Sequence, residues 1–376
     1  MSLKRFSVII AALASVILLA ACGSSNSSTS SSKSSKTNDT QLTGQSDGSY
    51  YQSVIKNGHY LTSKSRGVNV QQNGNQLNLK SFEAGLMNIS KKQFSTGKYV
   101  FQEGQYVSTD TAENWLGRKT KSNPEGLNPA GKNTKVPLYL QQMDEQDFLT
   151  QDGNSLKMSG MTIGLGINSV YYYQKQAYGA TYQMNLSDAE IKAQGKKMAN
   201  EVLARLRKTK ALKNIPIVIA LYKQAPDDSL VGGNFFAYSV NNGSSTSVSN
   251  WTAVNEKNYV FPVASGQKGP SNNSDENDFS NFKTQIQNFF PNLSGVTAQA
   301  QYMNGSLTGM NVNITTQFYS QTEIISFTQY LQSTASKYLP TGVPIDITVS
   351  STTGVQSFLS RSTNAKNFTF HIFNSY

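Results

Sequence analysis

The sequence predicts an α+β fold of two related repeats, each a mainly antiparallel or mixed sheet with helices packed on one face. Two stretches, 161–221 and 310–347, carry this prediction because both contain the same elements in the same order. Each begins with an alternating strand, continues with a Ser-x-x-Glu capping box and an apolar helical stripe, and ends in a strand that opens apolar-Pro-apolar. Repetition of the whole order indicates an internal duplication.

In the first copy, apolar residues alternate as in a half-buried strand at Met161, Ile163, Leu165 and Ile167. The capping box is Ser187-Asp188-Ala189-Glu190, which predicts a helix start. One helical face then carries Ile191, Met198, Val202 and Leu206. The closing strand opens Ile215-Pro216-Ile217, with the proline near the strand start, where a missing N–H is tolerated.

In the second copy, the alternating residues are Met310, Val312 and Ile314. Ser320-Gln321-Thr322-Glu323 is again a capping box. The helical stripe is Ile324, Phe327, Leu331, Ala335 and Tyr338, and the closing strand opens Val343-Pro344-Ile345. Further strands are predicted at 99–106, 235–240, 259–263 and 368–373, and a core-facing helical stripe at Phe279, Phe282, Ile286 and Phe289.

The first 21 residues predict a signal peptide. Lys4 and Arg5 precede an apolar run over 6–21, which is shorter than the roughly 20 residues of a membrane span. Cys22 is the only cysteine of the sequence, and Leu19-Ala20-Ala21-Cys22 resembles the lipobox of bacterial lipoproteins. In a lipobox, signal peptidase and lipid-transfer enzymes leave the cysteine as a new N-terminus that carries diacylglycerol. The alternative interpretation is a buried cysteine in a small-residue stretch.

A diacylglycerol on Cys22 would place the chain on the extracellular face of the cytoplasmic membrane. Two acyl chains, for example palmitate, anchor stably, whereas one chain binds only marginally. The serine-rich stretch that follows predicts a disordered tether over 22–49. We therefore divide the chain into the signal peptide 1–21, the tether 22–49, a first repeat 50–225 and a second repeat 226–376.

Composition limits the classes of ligand and chemistry. The formal net charge is +11 at pH 7, and removal of Lys4 and Arg5 with the signal peptide leaves +9. Such a surface favours polyanions, and for an exported protein anionic lipids and wall polymers are better candidates than nucleic acid. With one cysteine and two histidines, His59 and His371, no metal site of thiolate or imidazole is expected.

Motifs typical of enzymes are incomplete. The stretch 126–133 approaches a phosphate-binding loop, but Asn133 stands where a hydroxyl would bind Mg²⁺ and Pro129 removes a backbone donor. We expect the acidic residues Asp144, Glu145 and Asp147 to form a solvated helix or turn face. The sequence thus predicts no catalytic residues and no cofactor other than the lipid on Cys22.

The stretch 82–130 is the best candidate for ligand binding. Trp115 and Arg118 adjoin a Pro/Gly-rich loop, where they could stack on and pair with a ligand, and Glu103 lies nearby in the sequence. The alternative is structural, with Trp115 in the core and Arg118 in a salt bridge with Glu103 or Glu113.

The sequence is identified by these same stretches as resembling the CamS family, the sex-pheromone lipoproteins of Gram-positive bacteria. The matching features are the lipobox, Glu83–Met87, Phe101–Tyr106, Trp115–Arg118 and Gly126–Pro129. The resemblance implies two related repeats and no catalytic residues. It also implies that the leader can supply a short apolar mating pheromone. The matching segment is Ser15-Val16-Ile17-Leu18-Leu19-Ala20-Ala21, which opens Ser-Val-Ile where family peptides tend to open Ala-Ile-Phe.

We therefore expect a non-enzymatic surface lipoprotein whose mature domain binds a peptide or an anionic wall polymer. One alternative is a solute-binding lipoprotein of a transporter, which requires two doubly wound lobes. Another is an envelope hydrolase, which requires two of Glu83, Glu103, Glu113 and Glu125 within about 5–10 Å of each other.

Overall fold

The structure is a computed structural model that describes residues 40–68, 74–153, 155–272, 274–289 and 293–374. Its strands are β1 (Thr40–Leu42), β2 (Val54–Lys56), β3 (His59–Tyr60), β4 (Val100–Glu103), β5 (Leu140–Asp152), β6 (Ser155–Ile167), β7 (Val170–Gln174), β8 (Thr181–Asn185), β9 (Ile217–Lys223), β10 (Asn234–Asn241), β11 (Thr252–Ala253), β12 (Glu256–Phe261), β13 (Leu293–Met303), β14 (Ser306–Thr316), β15 (Ile345–Ser351), β16 (Gly354–Arg361) and β17 (Thr369–Ile372). The helices are α1 (Gln76–Gln93), α2 (Thr109–Leu116), α3 (Asp188–Leu206), α4 (Ser274–Phe289) and α5 (Gln321–Tyr338), with a 3₁₀ turn at Lys210–Leu212.

Two six-stranded mixed sheets with helices form the described part of the chain, which confirms the predicted α+β class. The first sheet has the order β11-β10-β9-β6-β5-β4, and the second has the order β12-β13-β14-β15-β16-β17. Each contains one parallel pair, β6 with β9 and β14 with β15, among antiparallel neighbours. Read from β4 and from β12, the two sheets have the same topology, with a helix in each parallel crossover, as a duplication requires.

The proline positions match in detail. The N–H of Met161 donates to the carbonyl of Pro216 at 3.1 Å, and the N–H of Met310 donates to the carbonyl of Pro344 at 3.1 Å. Each proline therefore starts the second strand of its parallel pair at the same register. The division of the chain at 225/226 stays a prediction; it falls between β9 and β10, and β10 and β11 pair within the first sheet.

The two capping boxes differ. Ser187 accepts a hydrogen bond from the N–H of Glu190, and Glu190 accepts one from the N–H of Ser187, as predicted. The predicted box at Ser320 is wrong, although α5 does begin at the next residue. The Ser320 hydroxyl lies 3.2 Å from that of Thr322, and it makes no side-chain cap bond to the helix.

Helices cover both faces of the first sheet, whereas the prediction placed helices on one face only. Side chains of α3 pack on Ile217, Ile219 and Leu221, whereas α1 packs on the alternate residues of the same strand, which face the other way. Two glycines of β6 permit this close approach of α1. A Cβ on Gly160 would overlap the ring of Phe94, which follows α1, and one on Gly164 would lie 2.6 Å from the ring of Phe82.

Helices α4 and α5 cover one face of the second sheet, and the predicted stripes of both helices lie in or against that core, except for Ile324. The opposite face is polar, with Asn311, Asn313 and Thr315 exposed on β14.

The end of each crossover is held by an arginine. Arg207, at the end of α3, donates to the backbone carbonyls of four residues, namely Leu212, Ile215, Asn241 and Ser245. In the second copy Arg361, at the end of β16, donates to the carbonyls of Leu339 and Pro340. Both arginines thus bind carbonyls of the segment that follows the crossover helix.

The copies differ most between the parallel strand and its crossover helix. In the first copy residues 168–187 make this connection and form the hairpin β7–β8, whereas in the second copy only residues 317–320 do so. The rings of Tyr171, Tyr173 and Tyr182 lie nearly parallel along the hairpin, with centroids 5.8 and 5.7 Å apart. We call residues 170–185 the tyrosine hairpin.

Candidate functional site

A polar cleft lies where the two large sheets meet. Its volume is about 770 Å³, within the range of roughly 300–1,000 Å³ typical of small-ligand sites. Its walls come from the ends of β6 and β9, the first turn of α3, the β9–β10 loop and β12. We call it the junction cleft, and its polar lining includes Ser169, Asp188, Lys192, Lys223, Glu256 and Lys257.

The parallel pairing of β6 with β9 positions one wall of the junction cleft. Ile167 lies opposite Lys223, and the N–H of Gln224 donates to the carbonyl of Ile167 at 2.9 Å. Lys223 Nζ then donates to Asp188 Oδ1 at 2.6 Å, at the start of α3. Ligands of α/β sheets commonly bind at such carboxyl ends of parallel strands, so the topology favours a binding site here.

Two buried polar atoms that belong to residues of the cleft have no hydrogen-bond partner within the described residues. They are Oε1 of Glu256, a residue only 6% exposed, and the hydroxyl of Ser169. Roughly 90% or more of buried polar groups in proteins are paired, so these two atoms are exceptions, and both lie beneath the accessible surface of the cleft.

Burial also changes the acidity of Glu256. It raises the pKa of this carboxyl to about 7, while the charge of Lys92 on α1 and the backbone N–H of Phe235 oppose the rise. The physical cause is that the charged form loses hydration when it leaves water. A cationic group in the cleft would stabilise the carboxylate and lower this pKa again.

The β9–β10 loop, which forms the outer wall of the cleft, is held by side chains from α1 and from the second sheet. Asn75 caps α1, and its amide donates to two carbonyls of the β9–β10 loop at 3.0 and 3.1 Å. Asn78 Oδ1 accepts two N–H groups at the ends of that loop, both at 2.9 Å. From the second sheet, Asn258 donates to the carbonyl of Gly233 at 2.9 Å. The loop is therefore held in place before any ligand binds.

Sequence reasoning missed the junction cleft. Asn75 stands just before an apolar stripe that includes Phe82, Leu86 and Ile89, and this N-cap signal could have revealed α1. Nothing in the sequence marks Glu256, because a single carboxyl in a strand gives no pattern.

The structure places Trp115 and Arg118 in the framework of the first sheet. Trp115 is 7% exposed and lies in the core, as the structural alternative predicts. Arg118 donates to the carbonyls of Pro129 and Val136 at 2.9 and 2.6 Å. It also donates twice to Asn133 Oδ1, so its guanidinium holds the loop 126–137 together.

The alternative salt bridge from Arg118 to Glu103 or Glu113 is wrong, since no such ion pair is among those formed by the described residues. The carbonyls of the loop take up the guanidinium instead. Direct ligand binding by Glu103, Trp115 and Arg118 stays a prediction.

Glu103 belongs to a second group of acidic side chains. It accepts a hydrogen bond from the hydroxyl of Tyr60 at 2.9 Å. Burial, followed by the charge of Glu103, raises the pKa of Glu83 and raises that of Asp144 well above its usual value. The charge of Arg66 opposes the rise at Glu83. Two of the four carboxyls considered for a hydrolase, Glu83 and Glu103, therefore interact.

The expectation that Asp144, Glu145 and Asp147 form a solvated helix or turn face is wrong. All three lie on β5, and Glu145 and Asp147 are 1% and 0% exposed. Glu145 accepts the N–H groups of Tyr106 and Val107 at 2.9 and 2.7 Å. Burial and the neighbouring Glu145 raise the pKa of Asp147 well above its usual value. The N–H groups that Glu145 accepts hold the segment after β4 against β5.

Two further observations concern the described residues alone. No group of three or more His, Cys, Asp or Glu side chains is arranged there to hold a metal ion. None of the helices there combines the length and apolar character of a bilayer span. The predicted leader, with residues 15–22, lies outside the described residues.

The chain also matches a known protein family. The family model described as "CamS sex pheromone cAM373 precursor" matches residues 60–367. The chain belongs to the CamS family. Two solved structures resemble it. The sex pheromone precursor of Lactobacillus salivarius subsp. salivarius UCC118 is 50% identical, with a TM-score of 0.86, over 90% of this chain and 100% of that one.

The second structure is the C-terminal domain of the sex pheromone staph-cAM373 precursor from Staphylococcus aureus. It is 32% identical, with a TM-score of 0.70, over 81% of this chain and 99% of that one. The comparison with curated proteins found no match.

The CamS motifs quoted from the sequence include framework residues of the first sheet. Asn128 is fully buried, and its amide donates to the carbonyls of Leu116 and Leu140, both at 2.8 Å. Its Oδ1 accepts the N–H groups of Tyr139 and Leu140 at 2.7 and 2.9 Å. All four hydrogen-bonding positions of this amide are therefore used to join three segments.

Proposed function

We propose that this CamS protein is a lipid-anchored surface protein of the extracellular face of the cytoplasmic membrane. The observation that carries the proposal is the order of basic residues, apolar run, Leu19-Ala20-Ala21-Cys22 and serine-rich tether, in a chain of this family. Cys22 would then carry diacylglycerol, whose two acyl chains anchor stably where one would be marginal.

Metabolic labelling with radioactive palmitate tests the anchor. We expect label in the wild-type chain and in a Ser24→Ala control, and none in Cys22→Ala, which lacks the sulfur. Equal labelling of Cys22→Ala and the wild-type chain would contradict the proposal.

The leader is proposed as the source of a short apolar pheromone, the segment Ser15–Ala21. Support comes from the two solved relatives, a sex pheromone precursor and the C-terminal domain of another. Synthetic SVILLAA should induce clumping or plasmid transfer by donor cells, and a scrambled peptide of the same composition should not. Equal responses to both peptides, or no response to SVILLAA, would count against a signalling role.

For the mature domain we propose a non-enzymatic binding function located at the junction cleft. The volume of the cleft, its polar lining and its place at the carboxyl ends of the parallel strands support it. The ligand would be polar and come from the envelope, either a peptide or an anionic wall polymer. The transporter alternative has less support, because each described sheet contains a single parallel pair rather than a doubly wound lobe.

Retention of envelope material tests this binding function. The full chain, immobilised, should retain soluble wall polymer or wall-derived peptides. Ser169→Val, which fills the cleft edge with a methyl group, should retain less, while the exposed control Glu113→Gln should behave as wild type. Equal retention by all three proteins would exclude the cleft.

An envelope hydrolase is a second candidate, favoured by the interaction of Glu83 with Glu103 and Asp144. Paired carboxyls of unequal acidity can act as acid and base on a glycosidic bond. Release of soluble wall fragments by the wild-type chain, lost in both Glu83→Gln and Glu103→Gln, would support it. Absence of release by the wild-type chain would reject it.

A further inference from the structure

We propose that one end of the first sheet is a docking surface for a polymer of phosphodiester-linked polyols, with lysine side chains on its phosphates and hydroxyl and amide side chains on its polyol units. The surface consists of residues 208–214 and 242–250, and we call it the lysine surface. It lies away from the junction cleft, because α3 begins at the cleft and ends at the lysine surface. The 19 residues of this helix span about 28 Å. The inference thus assigns an anionic polymer to a site other than the one proposed above.

The first observation is an excess of positive charge. Lys208, Lys210 and Lys213 are all exposed, and no ion pair is assigned to any of them within the described residues. The sequence contains no acidic residue over 202–226 or over 229–255, so neither segment of the lysine surface carries a carboxylate. Lysine binds phosphate as a point charge, and the surface therefore complements a polyanion.

Two acidic side chains from other segments approach this end of α3, and both are engaged. Glu125 and Glu201 pair with Arg205 at N–O distances of 3.4 and 3.2 Å. Their charge is thus partly compensated by the arginine, and the field over the lysine surface stays positive.

A buried arginine holds the two segments of the surface together. Arg207 donates to the carbonyls of Leu212 and Ile215 on one side, at 2.6 and 2.7 Å. On the other side it donates to those of Asn241 and Ser245, at 2.8 and 3.0 Å. Because these bonds fix the backbone of both segments before a ligand binds, less conformational entropy is lost on binding.

The second segment favours a hydrophilic polymer over a lipid bilayer. Residues 242–247 are Asn, Gly, Ser, Ser, Thr and Ser, and all six are exposed. Hydroxyl and amide groups both donate and accept hydrogen bonds, as the hydroxyls of a polyol require. Among the described residues, the large apolar side chains that are exposed all lie outside 208–214 and 242–250. The surface therefore lacks the apolar groups with which proteins enter a membrane surface.

The second copy shows that the fold does not require these lysines. There residues 339–344 lead from the crossover helix α5 to β15. Their sequence is Leu-Pro-Thr-Gly-Val-Pro, with no charged residue. The same connection thus forms without lysines, and the positive charge of the first copy is free to serve binding.

Binding of the full chain, in micelles of a neutral detergent, to immobilised poly(glycerol phosphate) tests the proposal. We expect binding that weakens as salt rises from about 0.1 M to about 1 M, because the Debye length falls from about 10 Å to about 3 Å. The triple variant Lys208→Gln/Lys210→Gln/Lys213→Gln should bind more weakly by about tenfold or more. Its thermal midpoint should match wild type, because all three side chains are exposed.

A matched control removes the same number of charges from the second copy. Its positions, all exposed, are Lys268, Lys337 and Lys366. This control and the cleft variant Ser169→Val should both bind poly(glycerol phosphate) as wild type does. Equal weakening of the two triple variants would show that net charge alone matters, and would overturn the proposal. Weakening by Ser169→Val alone would place the polymer in the junction cleft instead.

Hydrogen exchange of the chain anchored in vesicles distinguishes a polymer from a bilayer. In phosphatidylcholine vesicles, poly(glycerol phosphate) should slow the exchange of amides in 208–214 and 242–250 and leave that in 339–344 unchanged. Phosphatidylglycerol vesicles without polymer should not slow it. Protection by phosphatidylglycerol and none by the polymer would overturn the proposal in favour of an anionic bilayer. Failure of the wild-type chain to bind the polymer in micelles would overturn the polyanion assignment, and the palmitate result at Cys22 would be unaffected.

Discussion

Replacement of Glu256 by glutamine should make the protein more stable at alkaline pH and leave its stability at acid pH nearly unchanged. The carboxyl is 6% exposed, and burial raises its pKa from 4.5 to about 7. The folded state thus holds the proton more tightly than the unfolded state does. This group stabilises the fold fully below pH 4.5, and its contribution is lost as pH rises through 7.

The size of the effect follows from the same values. A tenfold change in proton affinity corresponds to about 1.4 kcal/mol, so a rise in pKa from 4.5 to about 7 amounts to about 3 kcal/mol. Glutamine has nearly the same shape and cannot ionise. The free energy of unfolding of Glu256→Gln, relative to wild type, should therefore increase by about 3 kcal/mol between pH 4.5 and pH 8.

Guanidinium chloride denaturation at four pH values between 4.5 and 8 measures this difference. Other buried carboxyls, Asp147 among them, also titrate, but they do so in both proteins and cancel in the comparison. Lys92 and Tyr222, whose electrostatic interactions involve Glu256, are present in both as well. Glu113→Gln should follow wild type throughout. A difference between Glu256→Gln and wild type that stays constant with pH would refute the reasoning.

Three further substitutions test the framework by thermal or chemical unfolding. Gly160→Ala places a methyl against the neighbouring phenylalanine ring and should lower the free energy of unfolding by about 1–3 kcal/mol, whereas Gly97→Ala, which meets nothing within 4 Å, should change it little. Asn128→Asp removes two buried donors and should lower it by about 2–4 kcal/mol; an unchanged midpoint would contradict the role of the amide. Arg207→Met leaves four backbone carbonyls without their donor and should lower the free energy of unfolding by about 3–5 kcal/mol. The exposed neighbouring variant Lys208→Met should match wild type.

The hydrophobic pattern predicted the repeated core because the spacing of apolar residues along a strand depends on how many of its faces are covered. The strand that follows Pro216 is apolar at every position from Ile217 to Leu221, as expected of a strand covered on both faces, and α1 and α3 do cover it. The strand that follows Pro344 alternates, and one of its faces is polar. The sequence therefore contained the evidence for α1, although the apolar run alone did not say which segment covers it.

The cleft and the tyrosine hairpin could not be predicted in the same way. The cleft brings together residues that are far apart in the sequence, such as Ser169 and Glu256, and the pairing of β7 with β8 involves no other strand. Glu256 acquires its properties from burial by a different sheet, through contacts such as that of Asn234 with its carbonyl at 2.6 Å. Local pattern contains no information on such contacts, so sequence favoured the more conspicuous Trp115 and Arg118, whose contacts are structural.

The longer connection over 168–187 makes the two halves of this protein unequal. At the matching end of the second half, four residues lead from the strand to the helix. This connection is too short to form a hairpin like that of β7 and β8. The junction cleft therefore takes part of its wall from a segment that the shorter connection of the second half lacks. Grafting that connection onto the second half would show whether recognition can be moved along the chain as a unit.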